Sequence, residues 1–212
     1  MLVERMMTSP CFTVNEVETI EHALEMMARH DIRHLPVVDS NMKVLGIVSD
    51  RDINLALPSI LGIEDSAAHL AMPITRIMHK NVVTCHPLDF VEDIAVDFYE
   101  QKIGCVPVVQ NNQCIGIVTQ KDMLNTFLEL TGVTTPGSAV EVAVPDRAGI
   151  MHDVTKIFNI NKVSIESILV YRDRTPGYKL VLIRMQSMNP TKIIADLNEA
   201  GFEVRTPHDS GL

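Results

Sequence analysis

The sequence has no apolar run near the roughly 18 residues that a membrane span needs. Its first residues, Met1-Leu2-Val3-Glu4-Arg5, lack the charged-then-apolar order of a secretory signal. Both absences point to a cytoplasmic protein with no membrane partner. Cysteine is scarce and unpatterned: Cys11, Cys85, Cys105 and Cys114 show no CxxC spacing, which argues against a disulfide scaffold and for small buried thiols in a reducing compartment. Basic runs and aromatic-basic patches are missing as well. At a net charge of −9, a nucleic-acid polymer, held mostly by phosphate neutralisation, is not an expected partner. A single nucleotide needs only a local site, which a helix N-terminus supplies without net positive charge. No GxxxxGK[ST], GxGxxG or GxSxG motif occurs, so phosphate-loop, dinucleotide and nucleophile-elbow chemistry find no support.

What is present is one unit written twice. Gly46-Ile47-Val48-Ser49-Asp50-Arg51-Asp52-Ile53 returns as Gly116-Ile117-Val118-Thr119-Gln120-Lys121-Asp122-Met123. Upstream, His34-Leu35-Pro36-Val37-Val38 returns as Cys105-Val106-Pro107-Val108-Val109, and Ile20, Ala23, Leu24 and Met27 return as Val91, Ile94, Ala95 and Phe98. The upstream matches are offset by 71 residues and the glycine motif by 70, so one residue is missing between Val109 and Gly116. Each copy predicts a short strand around Thr13 or Thr84, an amphipathic helix, a strand ending in PVV, a strand ending at Ser49 or Thr119, and a second helix. The segment from Pro58 to Pro73 reads as a short packed helix. A unit of roughly 60 residues buries too little surface alone, so the copies are expected to pack together.

After Thr131 to Ser138 the pattern changes. Val140, Val142 and Val144 alternate as a strand, a turn follows, and Ile150, Val154, Ile157 and Phe158 form a helical stripe. Two further strands, a helix capped by Asn189 with Pro190 at its first position, and a last strand at Phe202-Glu203-Val204 complete a βαββαβ order, the ferredoxin-like arrangement. The expected fold is α/β (α+β), divided as 1–60 and 77–131 for the repeats, 61–76 between them, 132–137 as linker and 138–212 as the terminal domain.

Ser49-x-x-Asp52 and Thr119-x-x-Asp122 each stand between an apolar strand and a helix. As a helix cap, hydroxyl and acid together contribute about 1 kcal/mol. As a site, first-turn amides and the hydroxyl hold a phosphate, the carboxylate accepts both ribose hydroxyls, and the neighbouring Pro-Val-Val strand walls an adenine. In the terminal region Gly149 lets a ligand approach the backbone where a helix starts, and Asp146 can take an amino group; an ordinary strand-to-helix turn is the other reading. No catalytic or metal site is expected. Cys85 and His86 are neighbours on an extended strand and face opposite ways, and the helix ends between His30 and His34.

The repeats resemble CBS domains, whose paired form is a Bateman module, and the motifs at 46–53 and 116–123 resemble that family's adenosine-binding signature. The terminal region, with Asp146-Arg147-Ala148-Gly149 after a strand, resembles an ACT domain, a small-molecule regulatory module; Ala148 replaces that family's usual proline. The order of the three, with IRHLPVVD, HPLDFVEDIA and IGCVPVV, resembles acetoin utilisation proteins. The resemblance implies that Asp52 and Asp122 bind ribose, that Ser49 and Thr119 lie near the phosphate, and that Thr13 and Thr84 contact base or ribose. It adds Arg33 and His34 as phosphate contacts and Pro36, Val106 and Pro107 as the adenine wall. It implies a non-catalytic sensor with AMP, ADP or ATP as regulatory ligand and an amino acid or other small metabolite at Asp146 and Gly149. A regulated protein partner, a homodimer and a role in acetoin catabolism complete this reading. A constitutive scaffold with empty CBS sites is the alternative.

Overall fold

Duplicated sequence becomes duplicated structure. In the computed structural model, which describes residues 1–57 and 66–205, the first repeat runs β1 (Val14–Asn15), α1 (Ile20–His30), β2 (His34–Val38), β3 (Val44–Ser49) and α2 (Asp50–Ala56). Helix α1 starts because the Thr19 hydroxyl accepts the His22 amide at 3.2 Å and stops where Asp31 turns left-handed. It buries Ile20, Ala23 and Met27, one face of a 3.6-residue period. Residues 58–65 of the expected inter-repeat helix lie outside the described residues; its described part is α3 (Ser66–Leu70). The second repeat continues with α4 (Val91–Gln101), β4 (Cys105–Gln110), β5 (Gln113–Thr119) and α5 (Gln120–Thr131).

The strand ladders repeat in detail. Pro36 faces Ile47 and Pro107 faces Ile117, and both ladders are irregular at the same place, between Val37 and Val38 and between Val108 and Val109. The missing residue lies in the hairpin. In the first copy, Asp39 to Lys43 form a loop whose Asp39 carboxylate accepts the amides of Asn41 and Lys43. In the second, Asn111 and Asn112 turn at φ 51° and 66°, the positive values of a two-residue type I′ hairpin. The short strand expected around Thr84 is a single parallel bridge from Cys85 to Val108.

Each repeat is completed by the segment that precedes the other. The turn Val3–Arg5 lies against the second repeat, where Val3 joins Cys85, Ile94, Phe98, Val106, Val108 and Val118 in one core. The turn Ile74–Arg76 lies against the first, where Ile74 joins Val14, Ile20, Leu35, Val48 and Ile53. This exchange ties the halves together, and it explains the glycine of the repeated motif. A Cβ on Gly46 would meet the Met78 sulfur at 2.5 Å, and one on Gly116 the Met7 sulfur at 3.0 Å, so a side chain there collides with the incoming segment.

The structure divides into the units Met1–Leu124 and Asn125–Leu212. The second carries β6 (Ser138–Pro145), α6 (Ile150–Ile160), β7 (Ile165–Arg172), β8 (Tyr178–Met185), α7 (Thr191–Glu199) and β9 (Glu203–Arg205). Its sheet order, β7-β8-β6-β9, with antiparallel pairs, is the ferredoxin-like topology. Val140, Val142 and Val144 alternate inward against Val154 and Phe158 of α6 and Ile193 and Leu197 of α7. Helix α7 begins at Thr191 rather than at Pro190, with the Asn189 carboxamide still accepting the Thr191 amide at 3.0 Å. The residues leading into this unit are fastened to it: the Thr131 carbonyl accepts Ser167 Oγ at 2.7 Å and Arg184 Nε at 3.2 Å.

Candidate functional site

Ser49 ends β3 and caps α2. Asp52 Oδ2 accepts the Ser49 amide at 2.8 Å and its hydroxyl at 2.7 Å, while Ser49 Oγ accepts the Asp52 amide at 3.3 Å. Thr119 and Asp122 repeat this geometry at 2.8, 2.7 and 3.3 Å. Both motifs are complete capping boxes, and both leave the carboxylate half-buried at a strand-to-helix corner. Burial opposes ionisation of Asp52, but the hydrogen bonds from the Ser49 hydroxyl and amide and from His79 outweigh it and hold the pKa below the ordinary carboxylate value.

The amides expected to hold a phosphate are already in use. Asp50 N–H donates to the Arg33 carbonyl at 3.0 Å, Arg51 N–H to the Asp50 carboxylate at 2.8 Å, and Asp52 N–H to Ser49 Oγ; in the second repeat Gln120 N–H donates to the Gly104 carbonyl at 3.2 Å. In the first repeat these amides are therefore not free for a phosphate. Arg33 is exposed, with its Nε 3.9 Å from an Asp50 carboxylate oxygen.

His34 opens β2 directly across the ladder from Ser49, as Cys105 stands across from Thr119. Its ring packs on Gly104, where a Cβ would come within 2.6 Å of Nε2, and burial holds its pKa below the ordinary imidazole value. Gly104 is therefore the counterpart of Arg33 because His34 occupies its side-chain space. Pro36 and Pro107 are buried on their strands, Thr13 is half-buried before β1, and Thr84 is exposed. Val106 is fully buried in the core of its repeat, which leaves its main chain to line any ligand. Cys85 is buried and His86 exposed, as strand alternation requires. His30 lies at the end of α1, stacked on Phe12 at 3.7 Å, apart from His34.

Sequence reasoning missed His79. Its Nε2 lies 3.0 Å from Asp52 Oδ1, the carboxylate oxygen that Ser49 does not use. The main chain puts it there, because Ile47 and His79 exchange both hydrogen bonds at 2.9 Å. Thr8 holds the same place in the second repeat, bridged to Ile117. The signal was available: the 71-residue offset carries on upstream, pairing Val3 with Ile74, Arg5 with Arg76, Met7 with Met78 and Thr8 with His79.

In the C-terminal unit, Asp146 uses its amide on the Gly177 carbonyl at 2.8 Å and its carboxylate on Lys179 Nζ at 2.7 Å. The amino group it takes belongs to its own chain. Gly149 has φ 82° with open space where a Cβ would be, so the turn itself calls for glycine. A cavity of about 660 Å³ is lined by Pro145, Arg147, Ile150, Lys156, Tyr178 and Phe202 among others; Asp146 and Gly149 adjoin it in sequence but are not part of its wall. Among the described residues no group of three or more His, Cys, Asp or Glu could hold a metal ion, and no helix is long and apolar enough to cross a membrane.

Two α/β repeats with exchanged lead-in segments, followed by a ferredoxin-like unit, define the class of architecture. The CBS domain profile matches residues 3–59 and 74–129 and the ACT domain profile residues 138–202. The chain belongs to the CBS-domain family, as a tandem pair followed by a C-terminal ACT domain. It is 36% identical over 127 residues to a homoserine O-acetyltransferase of Methanococcus vannielii, a match covering 59% of this chain and 25% of that one. The chain thus spans about a quarter of the curated enzymes of that name that it resembles. Among solved structures, a Vibrio cholerae protein assigned to acetoin utilization (AcuB) is 35% identical with a TM-score of 0.54, covering 64% of this chain and 98% of that one. The CBS pair of protein MJ0100, in complex with 5′-methylthioadenosine and S-adenosyl-L-methionine, is 31% identical at TM-score 0.52, covering 60% and 99%. CBSX2 in complex with AMP is 25% identical at 0.53, covering 61% and 98%.

Proposed function

We propose that this protein is a non-catalytic sensor in which the CBS pair binds an adenine nucleotide, AMP, ADP or ATP, and passes its occupancy to another protein. The observation that carries the reading is the twice-built corner, a half-buried carboxylate on a capping box beside a Pro-Val-Val strand. Solved CBS pairs of the same fold hold AMP, or methylthioadenosine and S-adenosylmethionine. Asp52 and Asp122 accept the ribose hydroxyls, Ser49 and Thr119 orient them, and Arg33 meets the phosphate of the first site. The finer reading places the protein in the cytoplasm as a homodimer that regulates acetoin catabolism, in keeping with the likeness to the Vibrio protein. A small metabolite such as an amino acid is assigned to the ACT domain.

One observation favours a second reading. Both capping boxes are satisfied internally, so the motifs have a structural use without any ligand, as a constitutive scaffold requires. A thermal-shift panel of AMP, ADP, ATP, S-adenosylmethionine, NADH and amino acids separates the two. A ligand at 100 times its dissociation constant adds about 2.7 kcal/mol to stability. Stabilisation by an adenine compound supports the sensor, and a flat panel at millimolar ligand supports the scaffold.

A further inference from the structure

Cys11 and Cys114 are 103 positions apart in sequence, yet their sulfurs lie 3.6 Å apart. The backbone brings them together. Thr8 and Ile117 form an antiparallel bridge through hydrogen bonds of 2.9 and 3.1 Å, and Ser9 Oγ donates to the Ile115 carbonyl at 2.7 Å. Three steps onward from Thr8 and three back from Ile117 set Cys11 opposite Cys114.

The first repeat supplies an internal control. Its equivalent positions are Val82 and Val44, so the fold asks only for small apolar volume there, and two thiols are more than packing needs. Their exposures differ in a useful way: Cys11 is partly accessible and Cys114 is buried. Cys85 and Cys105 are both buried, and burial pushes each of their pKa values up to about 12.

We propose that Cys11 and Cys114 form a reversible thiol–disulfide modification site, oxidised by a small disulfide such as glutathione disulfide, whose closure fastens the segment Thr8–Phe12 to β5. The Cys11 thiolate attacks one sulfur of glutathione disulfide; that S–S bond breaks and one glutathione thiolate leaves. Cys114 then gives up its proton and attacks the Cys11 sulfur, expelling the second glutathione thiolate. Two protein thiols are oxidised to one disulfide, one glutathione disulfide is reduced, and the two protons end on two glutathione thiols. The contact supports this order: the hydrogen bond with Cys114 lowers the Cys11 pKa against the effect of burial, and the same bond together with burial raises that of Cys114. Closure needs the sulfurs to move from 3.6 Å to about 2.0 Å by side-chain rotation. In a reducing compartment the pair rests as a dithiol and closes when the thiol pool is oxidised.

The full chain is equilibrated in mixtures of reduced and oxidised glutathione, quenched by alkylation, and read by intact mass and peptide mapping. The expected result is a monomer chain carrying two fewer alkyl groups than the fully reduced protein quenched in the same way, with the peptides of Cys11 and Cys114 linked and the link reversed by dithiothreitol. Cys11→Val and Cys114→Val, which copy the first repeat, are expected to abolish the link without unfolding the protein; the Cys85→Ala, Cys105→Ala double variant is expected to keep it. Full alkylation of both thiols in the most oxidising mixture overturns the proposal. So does glutathione retained on Cys11 without closure, a link between chains, or a link through Cys85 or Cys105.

Discussion

Replacing Asp122 by Asn separates a helix cap from a ribose contact. Asp122 Oδ2 takes both hydrogen bonds from Thr119, at 2.8 and 2.7 Å, and an asparagine carbonyl can take over that oxygen's place. Thr119 remains the cap and the asparagine can still close the capping box, so the cost to the ligand-free fold should stay at about 1 kcal/mol or less. The other position then holds an NH₂ group in place of a charged oxygen. A ribose diol offered to it loses charge-assisted acceptance, worth about 1.5 to 3 kcal/mol, or roughly 10-fold to 150-fold in affinity. Titration calorimetry with AMP, ATP and S-adenosylmethionine, alongside urea denaturation of the apo protein, reads the two quantities independently. Asp52→Asn is expected to behave alike at the first site, and the double variant to abolish ligand-induced stabilisation. Nucleotide affinity unaltered in the double variant, with normal folding, would refute the ribose assignment and leave the motifs as caps.

His79→Ala should raise ribose affinity at the first site, because it frees the Asp52 oxygen that the imidazole meets at 3.0 Å; an unchanged or lower affinity in calorimetry would make His79 neutral or a ligand contact. Asp52 has a folded-state pKa below its unfolded value, so its stabilisation is present above the ordinary carboxylate range and lost as pH falls through the folded pKa. Asp52→Asn should therefore flatten the acid limb of the stability curve below about pH 4, measured as denaturation midpoint against pH. Gly137→Ala should cost more than about 3 kcal/mol in urea denaturation, since its Cβ would lie 2.2 Å from the Met185 carbonyl oxygen, which is main chain and cannot step aside. Gly116→Ala should be milder than Gly46→Ala, because the nearest contacts are sulfurs at 3.0 Å and 2.5 Å respectively.

Periodicity made the helices and strands legible wherever one face is buried, as in α1 with Ile20, Ala23 and Met27 or β6 with Val140, Val142 and Val144. The hairpin deletion was legible because an offset change of one residue can only fall where no ladder pairing is disturbed. The exchange of lead-in segments is not legible from periodicity, although the same offset records it, because Met1 to Thr8 is too short to show a period of its own. Local spacing identifies the corner motifs but cannot show that the Arg33 carbonyl, just before β2, reaches the Asp50 amide from outside the motif. β4 is buried on both faces from Cys105 to Val108, so strand alternation cannot single out a ligand-facing side there.

The two halves share a backbone but differ at the positions where one half meets the other. His79 touches Asp52 where Thr8 stands in the second copy, His34 fills the space that Gly104 leaves open, and Cys11 with Cys114 replace Val82 with Val44. None of these differences lies inside the repeated Gly-to-Asp motif, so the binding chemistry can stay duplicated while its surroundings diverge. A pair built this way need not respond symmetrically. The first carboxylate has an imidazole on its second oxygen, whereas the second repeat has Thr8 at the place of that imidazole. His79 and Cys11 sit at different places on the two lead-in segments, since the counterpart of His79 is Thr8 and that of Cys11 is Val82, and those segments are the ones holding the two repeats together.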